Sequence, residues 1–220
     1  MANEVSLIDF WASPFAVRAR IALAYKGVDY ENKQEKFADK SPLLLQMNPV
    51  HKKIPVLIHN GRPVCESLII VQYIDEVWSH KSSLLPTDPY ERANARFWAD
   101  FIDKKVWDYG TKTWTKKGEE QEAAKKELLE ILKLLEGELG EKPFFGGENL
   151  GYVDVALLPF TAWFYTYETE GNFSVEEECP KLMDWVNWCM DLDCVSKNQP
   201  DSLKIYHFAM TAMKKRLGLA

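Results

Sequence analysis

Val5-Ser6-Leu7-Ile8, then Phe10-Trp11-Ala12-Ser13-Pro14-Phe15, then a run to Lys26 that stops at Gly27: this opening decides how the rest of the chain is read. The first four residues are short and mostly apolar, which predicts a strand. Pro14 to Lys26 carries apolar residues at Val17, Ile21 and Ala24, a helical spacing, and Gly27 is the residue type that closes a helix. Ser13 followed by Pro14 is the N-cap and first-turn pair of a helix start. A strand therefore passes into a helix through one tight bend, and Ser13 stands on that bend.

Outward from the bend, Val28 to Asn32 reads as a second strand and Ser41 to Met47 as a short helix ending before Asn48-Pro49. Pro55 to His59 is a strand, Asn60-Gly61 is a hairpin turn, and Arg62 to Cys65 returns as its partner. Ser67 to Trp78 is a helix with Leu68, Val71 and Ile74 in register. The order β-α-β-α-β-β-α predicts a compact mixed-sheet domain over residues 1–79. Residues 80–89 are polar, contain two prolines, and read as a linker.

Residues 90–220 read as all-helical. A long helix runs from Tyr90 to about Trp114, and Gly118 breaks it. Glu119-Glu120 then places acidic residues at the favourable end of a helix whose Leu128, Ile131, Leu132, Leu135 and Leu139 form one apolar face. Gly146-Gly147 and Gly151 mark a loop before one continuous apolar helix from Tyr152 to about Glu168. Pro180 to Met190 and Pro200 to Leu217 supply the remaining helices.

The chain has 220 residues, 46% hydrophobic and 27% charged, a balance that excludes disorder as the dominant state. A net charge of −6, with no long basic stripe, argues against nucleic acid as a partner. Apolar stretches such as Val155 to Phe160 are far shorter than the ~20 residues of a membrane span, so no membrane is expected. Met1-Ala2-Asn3-Glu4-Val5 has neither a basic region nor an apolar one, so no secretory signal is expected. Cys65, Cys179, Cys189 and Cys194 form no C-x-x-C pair and fit no zinc spacing. They read as reduced, mostly buried thiols of a cytosolic protein without a metal.

Three small motifs carry chemistry. A helix N-terminus presents unpaired N–H groups and a partial positive charge, so the Ser13 hydroxyl there either caps the helix or donates to a bound anion such as a thiolate. In thioredoxin-type modules this turn holds a Trp and a C-x-x-C pair. Here Trp11 remains, Ser13 stands at the first Cys position and Ala16 at the second, so no disulfide can form in the turn. Lys53-Ile54-Pro55 begins the third strand; a cis Pro55 would leave the Ile54 backbone free to pair with an extended peptide. Glu66-Ser67 opens a helix: Ser67 can cap it, the helix end can take a carboxylate, and Glu66 can pair with an ammonium. Together they suit an α-amino acid headgroup, and Lys40 and Lys53 could hold a second carboxylate.

In order and spacing these motifs, followed by a helical half, resemble the cytosolic glutathione transferases, and most closely the plant tau class. The resemblance spans essentially the whole chain. It rests on Trp11-Ala12-Ser13-Pro14-Phe15, Asn48-Pro49, Lys53-Ile54-Pro55-Val56-Leu57, Glu66-Ser67 and Gly151-Tyr152-Val153-Asp154-Val155-Ala156. It implies a thioredoxin-like N-terminal domain and an all-helical C-terminal domain with a hydrophobic substrate pocket. It further implies that Ser13 stabilises the glutathione thiolate, that Ile54 before Pro55 pairs with the cysteinyl unit, that Glu66 and Ser67 hold the γ-glutamyl end, and that Lys40 and Lys53 hold the glycyl carboxylate. Glutathione is then a co-substrate, and no cofactor is needed. Asp154, with Gly151 at the cap position, is expected to reach back to backbone N–H groups and serve folding.

The activity so implied is conjugation of the glutathione thiolate to hydrophobic electrophiles, with glutathione peroxidase activity beside it, in plant detoxification and stress metabolism. A free thiol titrates near ~8.5, so a hydrogen bond that favours the thiolate raises the concentration of nucleophile at neutral pH. Trp11, Phe15, Trp107, Trp114, Trp163 and Phe208 are the candidate lining of the pocket; Trp107 and Trp114 are seven apart and share a helix face. Two other functions compete: a carrier of hydrophobic metabolites, motivated by the aromatic pocket, and a thiol-disulfide reductase, like related members with Cys at the active turn, against which Ser13 argues and which a reductase activity abolished by Cys65→Ser would revive. The resemblance also implies a homodimer in the cytosol, the first domain of one chain against the second of the other, with Arg92 and Arg96 as interface candidates.

Overall fold

The computed structural model describes residues 4–81 and 83–219. Met1-Ala2-Asn3, which enter the expectation about a secretory signal, Ser82 within the expected linker, and Ala220 lie outside them. The chain divides into two compact units, Met1–Thr87 and Asp88–Ala220.

The first unit runs β1 (Val5–Asp9), α1 (Pro14–Lys26), β2 (Glu31–Gln34), α2 (Pro42–Met47), β3 (Val56–His59), β4 (Arg62–Cys65) and α3 (Ser67–Val77). The strands form one sheet in the order β2-β1-β3-β4, with β1 parallel to β2 and antiparallel to β3, and β3 antiparallel to β4. This is a thioredoxin-like arrangement. The alternation of the strands sorts the core: Ile8, Val56 and Ile58 pack with Leu44 of α2, while Leu7 and Leu57, directly paired in register, are fully buried on the opposite face. The Asn60-Gly61 turn has φ of 51° and 75°, the two left-handed residues that a tight hairpin of this twist requires.

Helix α1 begins and ends where its residues say it should. Ser13 caps it, and at its end the Gly27 N–H bonds Ala24 O (3.0 Å) and the Val28 N–H bonds Leu23 O (2.9 Å). That closing motif corrects the expected second strand. Val28 is committed to the helix end, so the chain enters the sheet at Glu31 and pairs Ser6 with Glu31 through Asp9 with Gln34. A buried ion pair then ties the last part of the unit down. The Asp75 carboxylate on α3 meets Lys26 Nζ at 2.7 Å and accepts from Ser83 Oγ and the Leu84 and Leu85 N–H groups at 2.8, 2.8 and 3.1 Å. Leu84 and Leu85 are buried, so this stretch of the expected linker is packed against the first unit.

The second unit contains α4 (Pro89–Thr115), α5 (Glu119–Leu139) and α6 (Tyr152–Leu157), a 3-10 helical segment (Leu158–Trp163), and α7 (Phe164–Gly171). It continues with α8 (Val175–Glu178), α9 (Pro180–Met190), α10 (Asp193–Ser196), α11 (Ser202–Phe208), a π-helical segment (Ala209–Met213) and α12 (Lys214–Arg216). Asp88 caps α4 by accepting from the Tyr90 and Glu91 N–H groups. The expected single helix from Tyr152 to Glu168 is three pieces. Pro159 has no N–H to continue the ladder, and the chain tightens there; Gln199 Nε2 and Thr161 Oγ1 both donate to the Leu158 carbonyl. The expected final helix is likewise interrupted by the π-helical segment.

Asp154 does what its position implies. It is fully buried and accepts from the Phe145, Gly146 and Gly151 N–H groups at 2.9, 3.0 and 2.8 Å and from Trp185 Nε1 at 2.7 Å. Gly151 supplies no oxygen of its own, so only the returning half of a capping box exists. No helix among the described residues is long and apolar enough to cross a membrane.

Candidate functional site

The register of the sheet brings the singled-out residues of the first unit to one end. β1 is antiparallel to β3 with Ile8 opposite Val56, so the exit of β1 and the entry of β3 lie side by side. β4 pairs Cys65 with Val56, so Glu66-Ser67 leaves the sheet beside Ile54-Pro55. β2 is parallel to β1 with Gln34 opposite Asp9, which sends the following loop, with Lys40, out of the same end. Ser13, Lys40, Lys53, Ile54, Pro55, Glu66 and Ser67 thus come from four strand ends that share one rim.

Ser13 lies on a β-turn in which its own N–H bonds Phe10 O at 2.9 Å. Its Oγ accepts from the Ala16 N–H at 3.3 Å, satisfying one orphan donor of α1. That uses the oxygen as an acceptor only, and among the described residues no acceptor takes its hydrogen. Ser13 as a residue is 9% exposed, so it is recessed in the first unit.

The Ile54-Pro55 peptide is cis, as the sequence suggested. No hydrogen bond to the Ile54 backbone is found among the described residues. The preceding loop is held from within: Asn48, 3% exposed, donates Nδ2 to Lys53 O at 2.9 Å and accepts at Oδ1 from the His51 N–H at 3.1 Å. Lys53 and Lys40 are exposed, with no salt bridge among the described residues.

Glu66 has φ of 69°, a left-handed conformation that is costly for a residue with a Cβ and is characteristic of constrained sites. Its carboxylate is exposed and 3.9 Å from His51 Nε2. The expected capping role of Ser67 is not what the structure holds. The reversal out of β4 is made at Glu66, so Ser67 is the first residue of α3, and its Oγ accepts from Arg18 Nη1 at 3.0 Å.

Arg18 is fully buried on α1, and its guanidinium also sits over the Phe15 ring, 5.3 Å from the centroid. Sequence reasoning passed over it. The signal was a charged residue set among Pro14, Val17, Ile21 and Ala22 on the apolar side of α1, all of them buried.

The aromatic set divides. Trp11 and Phe15 are half-buried in the first unit. In the second unit the buried stripe of α4 runs Ala95, Ala99, Ile102, Val106, Gly110, Thr113 and Trp114. Trp114 belongs to that stripe and is 1% exposed; Trp163, in the 3-10 segment, is also 1% exposed. These two are core rings of the unit, contrary to the expectation of an open pocket wall. Trp107 stands at the edge of the stripe, half-buried and edge-on to Trp163 with ring centroids 5.0 Å apart, and Phe208 is half-buried at the end of α11.

The four cysteines are free. Burial, and after it the Glu66 carboxylate, pushes the Cys65 thiol up, away from the thiolate that a reductase needs. Burial pushes Cys179 up to about 12.

Comparison with known proteins gives the family. Residues 3–76 match the glutathione S-transferase N-terminal domain and residues 88–193 the C-terminal domain of the same family. The chain is 63% identical over 219 residues to the probable glutathione S-transferase parA of Nicotiana tabacum, covering 100% of this chain and 99% of that one. It is 60% identical to glutathione S-transferase 3 of Glycine max over 97% of this chain and 98% of that one. Among solved structures, rice OsGSTU1 in complex with glutathione superposes with a TM-score of 0.94 at 51% identity, covering 98% of each chain. The tau-class enzyme of mango, Mangifera indica, superposes with a TM-score of 0.90 at 43% identity, covering 99% of each. The chain belongs to the glutathione S-transferase family, and its likeness within that family is to the plant tau class.

Proposed function

We propose that the rim of the first unit binds glutathione and activates its thiol for attack on hydrophobic electrophiles. The observation that carries this reading is the Ser13 hydroxyl: its oxygen is held by the Ala16 N–H, and its hydrogen is left to donate at the N-terminus of α1. A donor and a helix dipole aimed at one point favour the thiolate over the thiol. Each unit by which the thiol pKa falls corresponds to about 1.4 kcal/mol of preference for the charged form. Ser13 need not lose its proton.

The rest of the rim suits the remainder of the tripeptide. The unpaired Ile54 backbone can add one short antiparallel step with the cysteinyl unit. Glu66 meets the γ-glutamyl ammonium, and Ser67 with the N-terminus of α3 meets its carboxylate. Lys40 and Lys53 supply exposed positive charge for the glycyl carboxylate. The electrophile is held by apolar contact; the candidate surfaces are Phe15 and Trp11 in the first unit and, taken by itself, Trp107 and Phe208 in the second, where the buried Trp163 backs Trp107. Peroxide reduction by the same thiolate is a second activity of this site. The protein works as a cytosolic homodimer, with Arg92 and Arg96 at the interface; light scattering that returns the mass of one chain refutes the dimer.

The test is Ser13→Ala. Turnover with an aryl halide at neutral pH should fall about tenfold or more, and the pKa of the bound thiol, read from thiolate absorbance, should rise by about one unit. If both stay at wild-type values, the mechanism is wrong.

A further inference from the structure

Asp9 and Arg20 form a clamp behind the bend that carries Ser13. Asp9, the last residue of β1, is completely buried. Its Oδ2 accepts from Arg20 Nη1 at 3.2 Å, from Asn32 Nδ2 at 3.2 Å and from Gln34 Nε2 at 2.8 Å. Arg20 comes from the second turn of α1, and its other arm, Nη2, donates to the Trp11 carbonyl at 3.2 Å. One guanidinium therefore joins the strand before the bend, the bend itself and the helix after it. Tyr30 also faces the cluster: burial, and then the Asp9 charge, push its phenol up, while Arg20 pulls it down.

A buried carboxylate needs a paired cation, and Arg20 supplies it. Charge pairing alone would be satisfied by a single contact. The second arm does something else: it fixes the Trp11 carbonyl, one residue past the start of the Phe10–Ser13 turn. The planar fork of an arginine can hold two acceptors at a set angle, which a lysine ammonium cannot do in the same way. A small displacement of a reacting group costs rate out of proportion to its size.

We infer that Arg20, anchored by Asp9, is a positioning residue that holds the Phe10–Ser13 turn so that the Ser13 hydroxyl points at the bound thiol. This rests on the reading of Ser13 proposed above. Asp9 and Arg20 touch neither substrate nor sulfur; they act through the turn.

The decisive variant is Arg20→Lys, compared with wild type and with Ser13→Ala. Lysine keeps the positive charge beside Asp9 and loses the bond to Trp11 O. The expected result is an alkaline shift of the bound-thiol titration, with kcat at neutral pH lowered about tenfold, the size of one lost charge-assisted hydrogen bond, and KM for glutathione changed less than twofold. A purely structural role would lower the melting temperature and leave the thiol titration and kcat where they were, and that result overturns the inference. If Ser13→Ala lowers turnover while Arg20→Lys does not, this inference alone fails; if Ser13→Ala also has no effect, the underlying reading fails. A second measurement needs no variant: in labelled wild-type protein the Arg20 Nη protons should give separate, slowly exchanging resonances by NMR, both with and without glutathione. A freely rotating guanidinium in either state overturns the clamp.

Discussion

The Lys26 ammonium and the Asp75 carboxylate lie 2.7 Å apart with both side chains almost wholly out of water. Burial pushes the Asp75 carboxyl up, but bonds from Lys26, the Leu84 and Leu85 N–H groups and Ser83 outweigh it and hold the group below the usual carboxylate range. The sign of the linkage follows. With the folded pKa depressed, the pair contributes fully above the unfolded value of about 3.9 and is lost as pH falls from there through the folded pKa. Asp75→Asn should lower stability at neutral pH by about 3 kcal/mol, because it strands a buried cation. It should also flatten the acid limb of the stability curve. Urea titrations of both proteins across the acid range check this; equal midpoints at neutral pH would remove the pair from the account.

Lys53 offers a sharper test of how the tripeptide is oriented. Lys53→Gln should raise KM for glutathione about threefold to tenfold and leave kcat unchanged, since the interaction is the same in the ground and transition states. The penalty should shrink as salt is added, because the charge is exposed. With γ-glutamylcysteine, which lacks the glycyl carboxylate, variant and wild type should have the same KM. A KM difference that persists with the truncated substrate would place Lys53 elsewhere on the ligand.

What could be read from the residues, and what could not, follows from the range of the forces. Ser13-Pro14, Gly27 and Asn60-Gly61 act through their own backbone, and each formed where its chemistry indicated. Val28 looked like a strand residue because its propensity is visible, whereas the helix-closing bond to Leu23 that claims it is set by the conformation of Gly27. Ser67 had the composition of a cap, but the hairpin register put the reversal on Glu66 and turned the hydroxyl to Arg18. Trp107 and Trp114 share a face by arithmetic; which of them is core depends on α5, α6 and α7 packing onto α4, which no local pattern contains. Sequence reasoning passed over Asp9, Arg18 and Arg20, because the partners that bury the first two and half-bury the third come from four different elements.

The Asp154 carboxylate gathers three backbone N–H groups and the Trp185 indole, all from a stretch where Gly146 and Gly151 approach each other too closely for a Cβ on either. Asp154→Asn presents an amide donor where only donors already point, so at least one buried group loses its partner. The expected cost is about 3 kcal/mol or more. Trp185→Phe removes a single donor and leaves a small cavity beside Phe145, but the three backbone donors keep their acceptor, so it should cost less than Asp154→Asn. The order of the two in chemical denaturation is the check; a milder Asp154 variant than Trp185 variant would mean that the loop is held by other contacts.

Gly110 shows how closely α4 and α7 approach. A Cβ at this position would lie 2.5 Å from the Tyr167 ring, whose body is fully buried and cannot swing aside. Alanine is otherwise the better helix former by about 1 kcal/mol, so propensity alone predicts that Gly110→Ala stabilises the long helix. Overpacking predicts the reverse, a loss of about 1–3 kcal/mol, and a contact this far inside van der Waals distance decides for overpacking. Tyr167→Leu by itself should also destabilise, by leaving a cavity. Combined with Gly110→Ala, the smaller side chain admits the methyl group, so the double variant should be more stable than the sum of the two losses predicts, with a coupling of about 1 kcal/mol. Simple additivity in urea unfolding would show that the helices separate to admit the methyl group without the help of Tyr167.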